Sequence, residues 1–198
     1  MDQPDDAFRT FVFKNRGALL AVPAAALVAF GKPSAAGIAM GLPLAIAGEL
    51  VRCWAVGYSG TTTRHDRVTA PQLVTAGPYA YVRNPLYLGN FLTAAGFAFA
   101  FTGKNAPAAR LALLLGSLGT MAAVYSTIVP HEERFLQREF GEAYERYCER
   151  VPPFVPQTEP MPDPQGTWDA GAIAEAETTT FGTFAAMLVS LIVKSLRA

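Results

Sequence analysis

Two long runs without a charge decide the fold: residues 86–103, LYLGNFLTAAGFAFAFTG, and residues 111–129, LALLLGSLGTMAAVYSTIV. They contain 18 and 19 residues, and a helix needs roughly 20 apolar residues to cross the hydrocarbon core of a bilayer. Uncharged runs of this length are rare in soluble helical bundles. The two runs therefore predict neighbouring membrane-spanning helices, joined by the short polar turn that follows Gly103.

Three further apolar blocks extend this pattern over most of the chain. Residues 17–31 and 34–48 carry no charge and reach spanning length when flanking residues are included. The last block, residues 178–193, ends beside Lys194, which suits a membrane interface. We predict an all-α, polytopic membrane helical bundle of about five transmembrane helices. The alternatives are a soluble bundle of buried helices and, for the first block alone, a cleaved signal peptide, which the acidic N-terminus disfavours.

Composition and charge exclude several other classes of protein. Lys plus Arg and Asp plus Glu both number 16, and a nucleic-acid partner is not expected because phosphate binding needs a basic excess. Two cysteines, Cys53 and Cys148, cannot form a disulfide scaffold, and neither histidine is near a cysteine, so no metal site is expected. The apolar fraction of 51% excludes a disordered chain.

The distribution of basic residues predicts how the bundle is oriented. Leaving Arg52 aside, a five-span arrangement puts ten Lys and Arg residues on the side of the N-terminus and five on the other side. Basic residues favour the cytoplasmic side of a membrane. We therefore expect a cytoplasmic N-terminus, with the large polar segments 61–85 and 130–177, and any chemistry that they perform, on the cytoplasmic face.

The first polar segment ends in a short rigid connection that leads into a helix. Gly77-Pro78 is a turn signal. Pro85 disfavours a helical conformation at Asn84 and suits the first position of the following helix. The free N–H groups at such a helix start favour an anionic ligand group. The alternative is a plain interfacial loop whose tyrosines form an aromatic belt.

The second polar segment predicts a cytoplasmic amphipathic helix over residues 130–151, because its apolar residues recur every three or four positions. Val151 and the two prolines after it end this helix. Glu132 and Glu133 directly follow a spanning helix, and negative charge is unfavourable at a helix C-terminus. They are better placed if a new helix opens at Pro130, or if they meet a cation; a plain solvated turn is the alternative.

Glu49 and Arg52 form a second candidate group, three residues apart near the end of the second apolar block. Ionisable residues at membrane depth are functional candidates. The alternative is that the two residues neutralise each other as a pair on one helix.

Both polar segments resemble the signature of the isoprenylcysteine carboxyl methyltransferase family, whose pattern begins LVT-x-G-x-Y-x-x-x-RHP-x-Y-x-G. The matching residues of the first segment are Leu73–Tyr79, Val82–Pro85, Tyr87 and Gly89. Those of the second segment are Glu132, Glu133, Leu136, Phe140, Gly141, Tyr144, Tyr147, Val151, Pro152 and Pro156. The resemblance covers about residues 48–156, and related phospholipid N-methyltransferases share the pattern.

The resemblance implies an integral membrane enzyme that uses S-adenosylmethionine as cofactor. By position, the implied cofactor contacts are Gln72, Leu73, Val74, Tyr79, Arg83, Asn84, Pro85, Tyr87, Glu132 and Glu133. Arg83, Asn84 and Glu132 are the implied catalytic residues. The cationic sulfonium and amino groups of the cofactor suit the glutamates, and its carboxylate suits Arg83 or the helix start at Pro85.

The implied function is methyl transfer to a lipophilic acceptor at the cytoplasmic face, in a membrane methyltransferase domain of residues 1–156. Two departures leave the acceptor open: Asn84 replaces the usual His, and Ile128-Val129 replaces an arginine that is associated with prenylcysteine substrates. The alternatives are a phospholipid N-methyltransferase and a non-enzymatic membrane protein on the same scaffold. Residues 157–198 lie beyond the resemblance and predict a Pro-rich linker followed by an extra C-terminal helix that spans the membrane.

Overall fold

The structure is a computed structural model, and it describes residues 4–60 and 72–197. All regular structure in these residues is helical, which confirms the predicted all-α class. The helices are α1 (Pro4–Phe30), α2 (Ala35–Ser59), α3 (Pro85–Thr102), α4 (Pro107–Phe140), α5 (Glu142–Arg150), α6 (Ala170–Ala176) and α7 (Thr178–Leu196), with a 3₁₀ turn at Gly77–Ala80. Arg64 and Arg67, which contribute to the predicted charge bias, lie outside the described residues.

Within the described residues, four helices are long and apolar enough to cross a membrane, in agreement with a helical membrane bundle. They are Phe11–Phe30, Ala35–Ser59, Pro107–Phe140 and Thr178–Leu196. The C-terminal helix is thus one of them. The sequence also predicts a span at α3, which is not among the four. Its 18 uncharged residues measure about 27 Å, but Pro85, Tyr87 and Asn90 lower its mean hydropathy.

The chain divides into two compact units. The first, here called the apolar unit, comprises Met1–Glu49, Asn90–Ile128 and Thr180–Ala198. The second, the polar unit, comprises Leu50–Gly89 and Val129–Thr179. All the site residues implied by the family resemblance belong to the polar unit.

Close approach of α2 and α3 organises the apolar unit. A Cβ on Gly41 would collide with the carbonyl of Gly96, and a Cβ on Gly96 would collide with the backbone nitrogen of Ala45. Small residues that let helix backbones touch are typical of membrane-spanning helices, where hydrophobic burial alone does not drive association. The core beside this contact consists of Leu27, Ala45, Phe97, Ala98, Ala100, Phe101 and Leu191.

The turns of the apolar unit meet at one end. The N–H of Lys104 donates to the carbonyl of Lys32 over 2.8 Å, and the Asn105 amide donates to the carbonyl of Phe30 over 3.0 Å. The Lys194 ammonium donates to a carbonyl in the last turn of α1 over 2.6 Å. The α1–α2 turn, the α3–α4 turn and the C-terminal part of α7 therefore share one end of this unit.

The predicted amphipathic helix over residues 130–151 is two helices in the structure. α4 continues through Pro130 to Phe140, so no new helix opens at that proline. The break falls at Gly141, whose φ of 50° lies in the left-handed region that favours glycine. α5 follows and ends at Arg150, where the sequence predicts a stop. A proline is tolerated inside a spanning helix when neighbouring groups satisfy the freed carbonyl.

Candidate functional site

The loop of residues 72–84 starts the candidate site, and its shape depends on Gly77. This glycine has a φ of 61°, and a Cβ on it would collide with the ring of Tyr58. The 3₁₀ turn that follows contains Tyr79, whose carbonyl accepts a hydrogen bond of 2.8 Å from the Tyr147 hydroxyl. The turn is thereby fastened to α5 at one point and crosses the end of α2 at another.

Arg83 joins the two family motifs. Its Nε and Nη2 atoms lie 3.1 and 3.0 Å from Oε1 of Glu133, and the two side chains are 13% and 28% exposed. Its Nη1 donates to the carbonyls of Cys148 and Val151 over 3.1 and 2.9 Å. A cation is favourable at the C-terminal end of a helix, where carbonyls lack helical partners. Arg83 thus ties the loop to both α4 and α5.

The residues after Arg83 lead directly into α3. The Asn84 amide donates to the carbonyl of Pro153 over 3.1 Å, and the Asn84 carbonyl accepts from Leu88 at the same distance. Pro85 is buried and is the first residue of α3, as the sequence predicts. Tyr87 lies half-buried in the first turn. The contact with Pro153 needs only a neutral hydrogen-bond donor. The ring N–H of the histidine that is usual at this position in the family is also such a donor.

The first residues of the loop have three different environments. Gln72 is exposed, whereas Leu73 packs against the core formed by Tyr144, Tyr147 and Val151. Val74 is half-buried and lies beside Gly166. Of the three, Leu73 and Val74 thus contribute apolar surface within the polar unit.

The two consecutive glutamates interact with different parts of the loop. Glu133 pairs with Arg83, whereas the charge of the half-buried Glu132 acts on the phenol of Tyr79. The pKa of Tyr79 is raised from 10.0 to about 12, mainly by burial; a hydrogen bond with Ser59 and the charge of Arg52 lower it, and the charge of Glu132 contributes to the increase. Tyr79 is a neutral phenol near neutral pH, as an unshifted tyrosine is.

Tyrosines and a cysteine of α5 complete the surroundings of the loop. Burial raises the pKa values of the Tyr144 and Tyr147 phenols, so both serve as neutral hydrogen-bonding groups. Burial also raises the pKa of the Cys148 thiol, which disfavours the thiolate that a nucleophile needs. Among the described residues, no group of three or more His, Cys, Asp or Glu side chains could hold a metal ion.

Sequence reasoning missed the partner of Arg52. Its Nη2 lies 2.7 Å from Oε2 of Glu177, and the two side chains are 10% and 1% exposed. The sequence offers Glu49, three residues earlier, as a partner of Arg52; the structure adds a contact between positions 125 residues apart. A pair this remote has no local sequence signature.

The segment predicted as a Pro-rich linker is hydrogen-bonded along the loop. Backbone N–H groups of Gln157, Met161 and Asp169 donate over 2.8–3.0 Å to carbonyls of the loop and of α2. The Gln165 carbonyl accepts from two consecutive loop amides, at 2.8 and 3.0 Å. We call residues 157–169 the strap. Its composition is that of a linker, but its backbone is fixed to the loop that precedes α3.

These features define a polytopic helical membrane protein whose polar unit presents a carboxylate, tyrosines and an arginine-bound loop. A family model described as phospholipid methyltransferase matches residues 36–143, more than half of the chain. The chain belongs to this family, which confirms the resemblance seen in the sequence.

Curated relatives agree with this assignment. The chain is 29% identical over 120 residues to protein-S-isoprenylcysteine O-methyltransferase B of Arabidopsis thaliana, covering 59% of this chain and 57% of that protein. It is 32% identical over 113 residues to the protein-S-isoprenylcysteine O-methyltransferase of Schizosaccharomyces pombe, covering 55% and 45%. It is 37% identical over 86 residues to the nickel-cobalt-cadmium resistance protein NccN of Alcaligenes xylosoxydans xylosoxydans, covering 43% and 37%. These matches span less than two thirds of each relative's length. No solved structure matches the chain.

Proposed function

We propose that the protein transfers a methyl group from S-adenosylmethionine to a lipophilic acceptor at the cytoplasmic face of the membrane. The observation that carries this proposal is the Arg83–Glu133 ion pair of 3.0 Å, which brings the two family motifs into one compact unit. Membership of the phospholipid methyltransferase family and relatives named as O-methyltransferases support it.

The residues of the polar unit fit this cofactor. Glu132 offers a half-buried carboxylate for a cationic group, and its charge acts on Tyr79, a neutral phenol whose pKa is raised to about 12. Leu73 and Val74 offer apolar surface for the adenine. The positive end of the helix dipole at the start of α3 favours the carboxylate. When bound, S-adenosylmethionine would supply an electrophilic methyl group on a positively charged sulfur; transfer to the acceptor would break the carbon–sulfur bond and release the neutral thioether S-adenosylhomocysteine.

Most of the loop residues act by position in this proposal. The guanidinium nitrogens of Arg83 already bind Glu133 and two carbonyls of the α5 end, so Arg83 holds the loop in place. Asn84 does the same through Pro153. Proximity and orientation lower the barrier of a two-reactant step without a covalent enzyme intermediate. We therefore assign cation binding to Glu132 and loop positioning to Arg83 and Asn84.

An amine acceptor, as in a phospholipid headgroup, is the second candidate. At the place associated with prenylcysteine substrates, this chain has Ile128 and Val129, which are 1% and 3% exposed. Buried aliphatic side chains offer no charge to an acceptor carboxylate. Labelled methyl in phosphatidylethanolamine derivatives, and none in a prenylcysteine analogue, supports the amine; the reverse supports the carboxylate.

Cofactor binding by the full chain in lipid nanodiscs tests the proposal. We expect calorimetry to show S-adenosylmethionine binding that Glu132→Gln weakens by about tenfold, since one charge-assisted contact is worth roughly 1.5 kcal/mol or more. Glu139→Gln, at an exposed position of the same helix, is the matched control and should bind as the wild type does. Absence of binding by the wild-type protein would contradict the proposed function.

A further inference from the structure

Glu177 is a carboxylate buried to 1% exposure, and it pairs with Arg52 over 2.7 Å. Taking both charges out of water is costly, and apolar residues of similar size stabilise such a place at least as well. Fold stability alone therefore gives little reason for a buried pair here. Buried ionisable residues of membrane proteins are candidates for a functional role.

The segment before Glu177 holds this residue in place. The backbone N–H of Asp169 donates to the carbonyl of Gly57 over 2.8 Å, which fixes the end of the strap to α2. The Asp169 carboxylate caps α6 by accepting from Gly171 over 2.8 Å. The Trp168 ring lies so close to Gly57 that a Cβ there would collide with it. α6 then carries the chain to Glu177, well beyond residues 36–143 that the family model matches.

Arg52 connects this pair to the proposed cation site. The charges of Arg52 and Glu132 both act on the phenol of Tyr79, in opposite directions. Trp54, two residues after Arg52, packs against Tyr81 with ring centroids 6.2 Å apart, so this part of α2 lies against the loop that carries Tyr79. A positive charge at this place opposes a cationic ligand unless a carboxylate balances it.

We propose that Glu177 is a positioning residue of the methyltransferase site, which balances and orients Arg52 so that the region around Glu132 and Tyr79 accepts a cationic cofactor. The inference rests on the proposed function and adds a residue outside the matched region to it. The strap and α6 are then parts of the site and not an appendage.

Comparing a cationic ligand with its neutral counterpart tests this role. S-adenosylmethionine carries the sulfonium charge and S-adenosylhomocysteine lacks it, while the rest of the two molecules is the same. We expect Glu177→Gln, measured by calorimetry on the full chain in lipid nanodiscs, to weaken S-adenosylmethionine about tenfold and S-adenosylhomocysteine less than threefold. Glu175→Gln, two residues earlier and exposed, should change neither. Equal weakening of both ligands, or of neither, would overturn the inference.

A double variant covers the case in which Glu177→Gln does not fold. Arg52→Gln with Glu177→Gln removes both charges and should restore the wild-type ratio of the two affinities. A folded double variant that still discriminates against S-adenosylmethionine would contradict the charge-balancing role. Failure of the wild-type protein to bind either ligand would instead contradict the proposed function, so the two failures are distinct.

Discussion

The contacts within the apolar unit differ in kind from the contacts within the polar unit. In the apolar unit, glycines let α2 and α3 touch, and the core is aliphatic and aromatic. In the polar unit, the Arg83–Glu133 and Arg52–Glu177 ion pairs and the hydrogen bonds of irregular backbone segments connect distant parts of the chain. Backbone outside helices is tolerated near a membrane only where protein or water satisfies it. All the site residues that we propose lie in the unit whose backbone is irregular.

Removing Arg83 should have the largest effect on stability and cofactor binding, because this side chain connects three segments of the polar unit. Arg83→Ala removes the partner of Glu133 and two bonds to carbonyls at the end of α5. We expect the free energy of unfolding to fall by about 3 kcal/mol, and cofactor binding to be lost. Denaturant unfolding in detergent measures the first and calorimetry the second. Arg146 forms an exposed ion pair with Glu142, so Arg146→Ala should change the free energy of unfolding little. Equal losses of stability in the two variants would contradict the comparison.

A substitution in the apolar unit tests whether its helix packing affects stability without affecting cofactor binding. Gly41→Ala places a Cβ against the backbone of α3, and we expect a cost of about 1–3 kcal/mol. Thermal unfolding in detergent measures this cost. Gly116→Ala, at a position with nothing within 4 Å, is the control and should not destabilise. The cofactor affinity of the folded Gly41→Ala protein should stay within about threefold of that of the wild type. A larger change would contradict the assignment of cofactor binding to the polar unit alone.

The smallest predicted effect is a pH dependence that belongs to the polar unit. Because the pKa of Tyr79 is raised from 10.0 to about 12, its contribution to stability is fully present below pH 10 and is lost as the pH rises towards 12. The unfolded chain releases the phenol proton first in that window. We expect the Tyr79→Phe variant to lose less stability than the wild type between pH 9 and pH 11. Identical pH profiles would show that Tyr79 is not buried as described.

Local signals in the sequence identify much of the fold. Charge-free runs predict the apolar helices, Pro85 predicts the start of α3, and Val151 with its prolines predicts the end of α5. The course of α4 through Pro130 is missed, because the rule that proline ends a helix holds less strictly in a spanning segment. α3 contains no charge, but the polar residues at its start lower its mean hydropathy, which explains why it is not among the candidate spans.

The site is predictable only where a motif marks it. The family pattern brings out Arg83 and the two glutamates, and Arg83 and Glu133 indeed lie together. The Arg52–Glu177 pair and the strap depend on contacts between distant parts of the chain. Proline-rich composition indicates an extended backbone but not what that backbone binds.

Transfer of a labelled methyl group tests the central claim most directly. Membranes containing the wild-type protein, supplied with tritiated S-adenosylmethionine and either a prenylcysteine analogue or phosphatidylethanolamine, should yield label in a solvent-extractable product. The same membranes with Glu132→Gln should yield at least tenfold less label at a limiting cofactor concentration, and with Glu139→Gln an unchanged amount. Label that is absent with the wild type, or equal with and without the Glu132 carboxylate, would contradict the account.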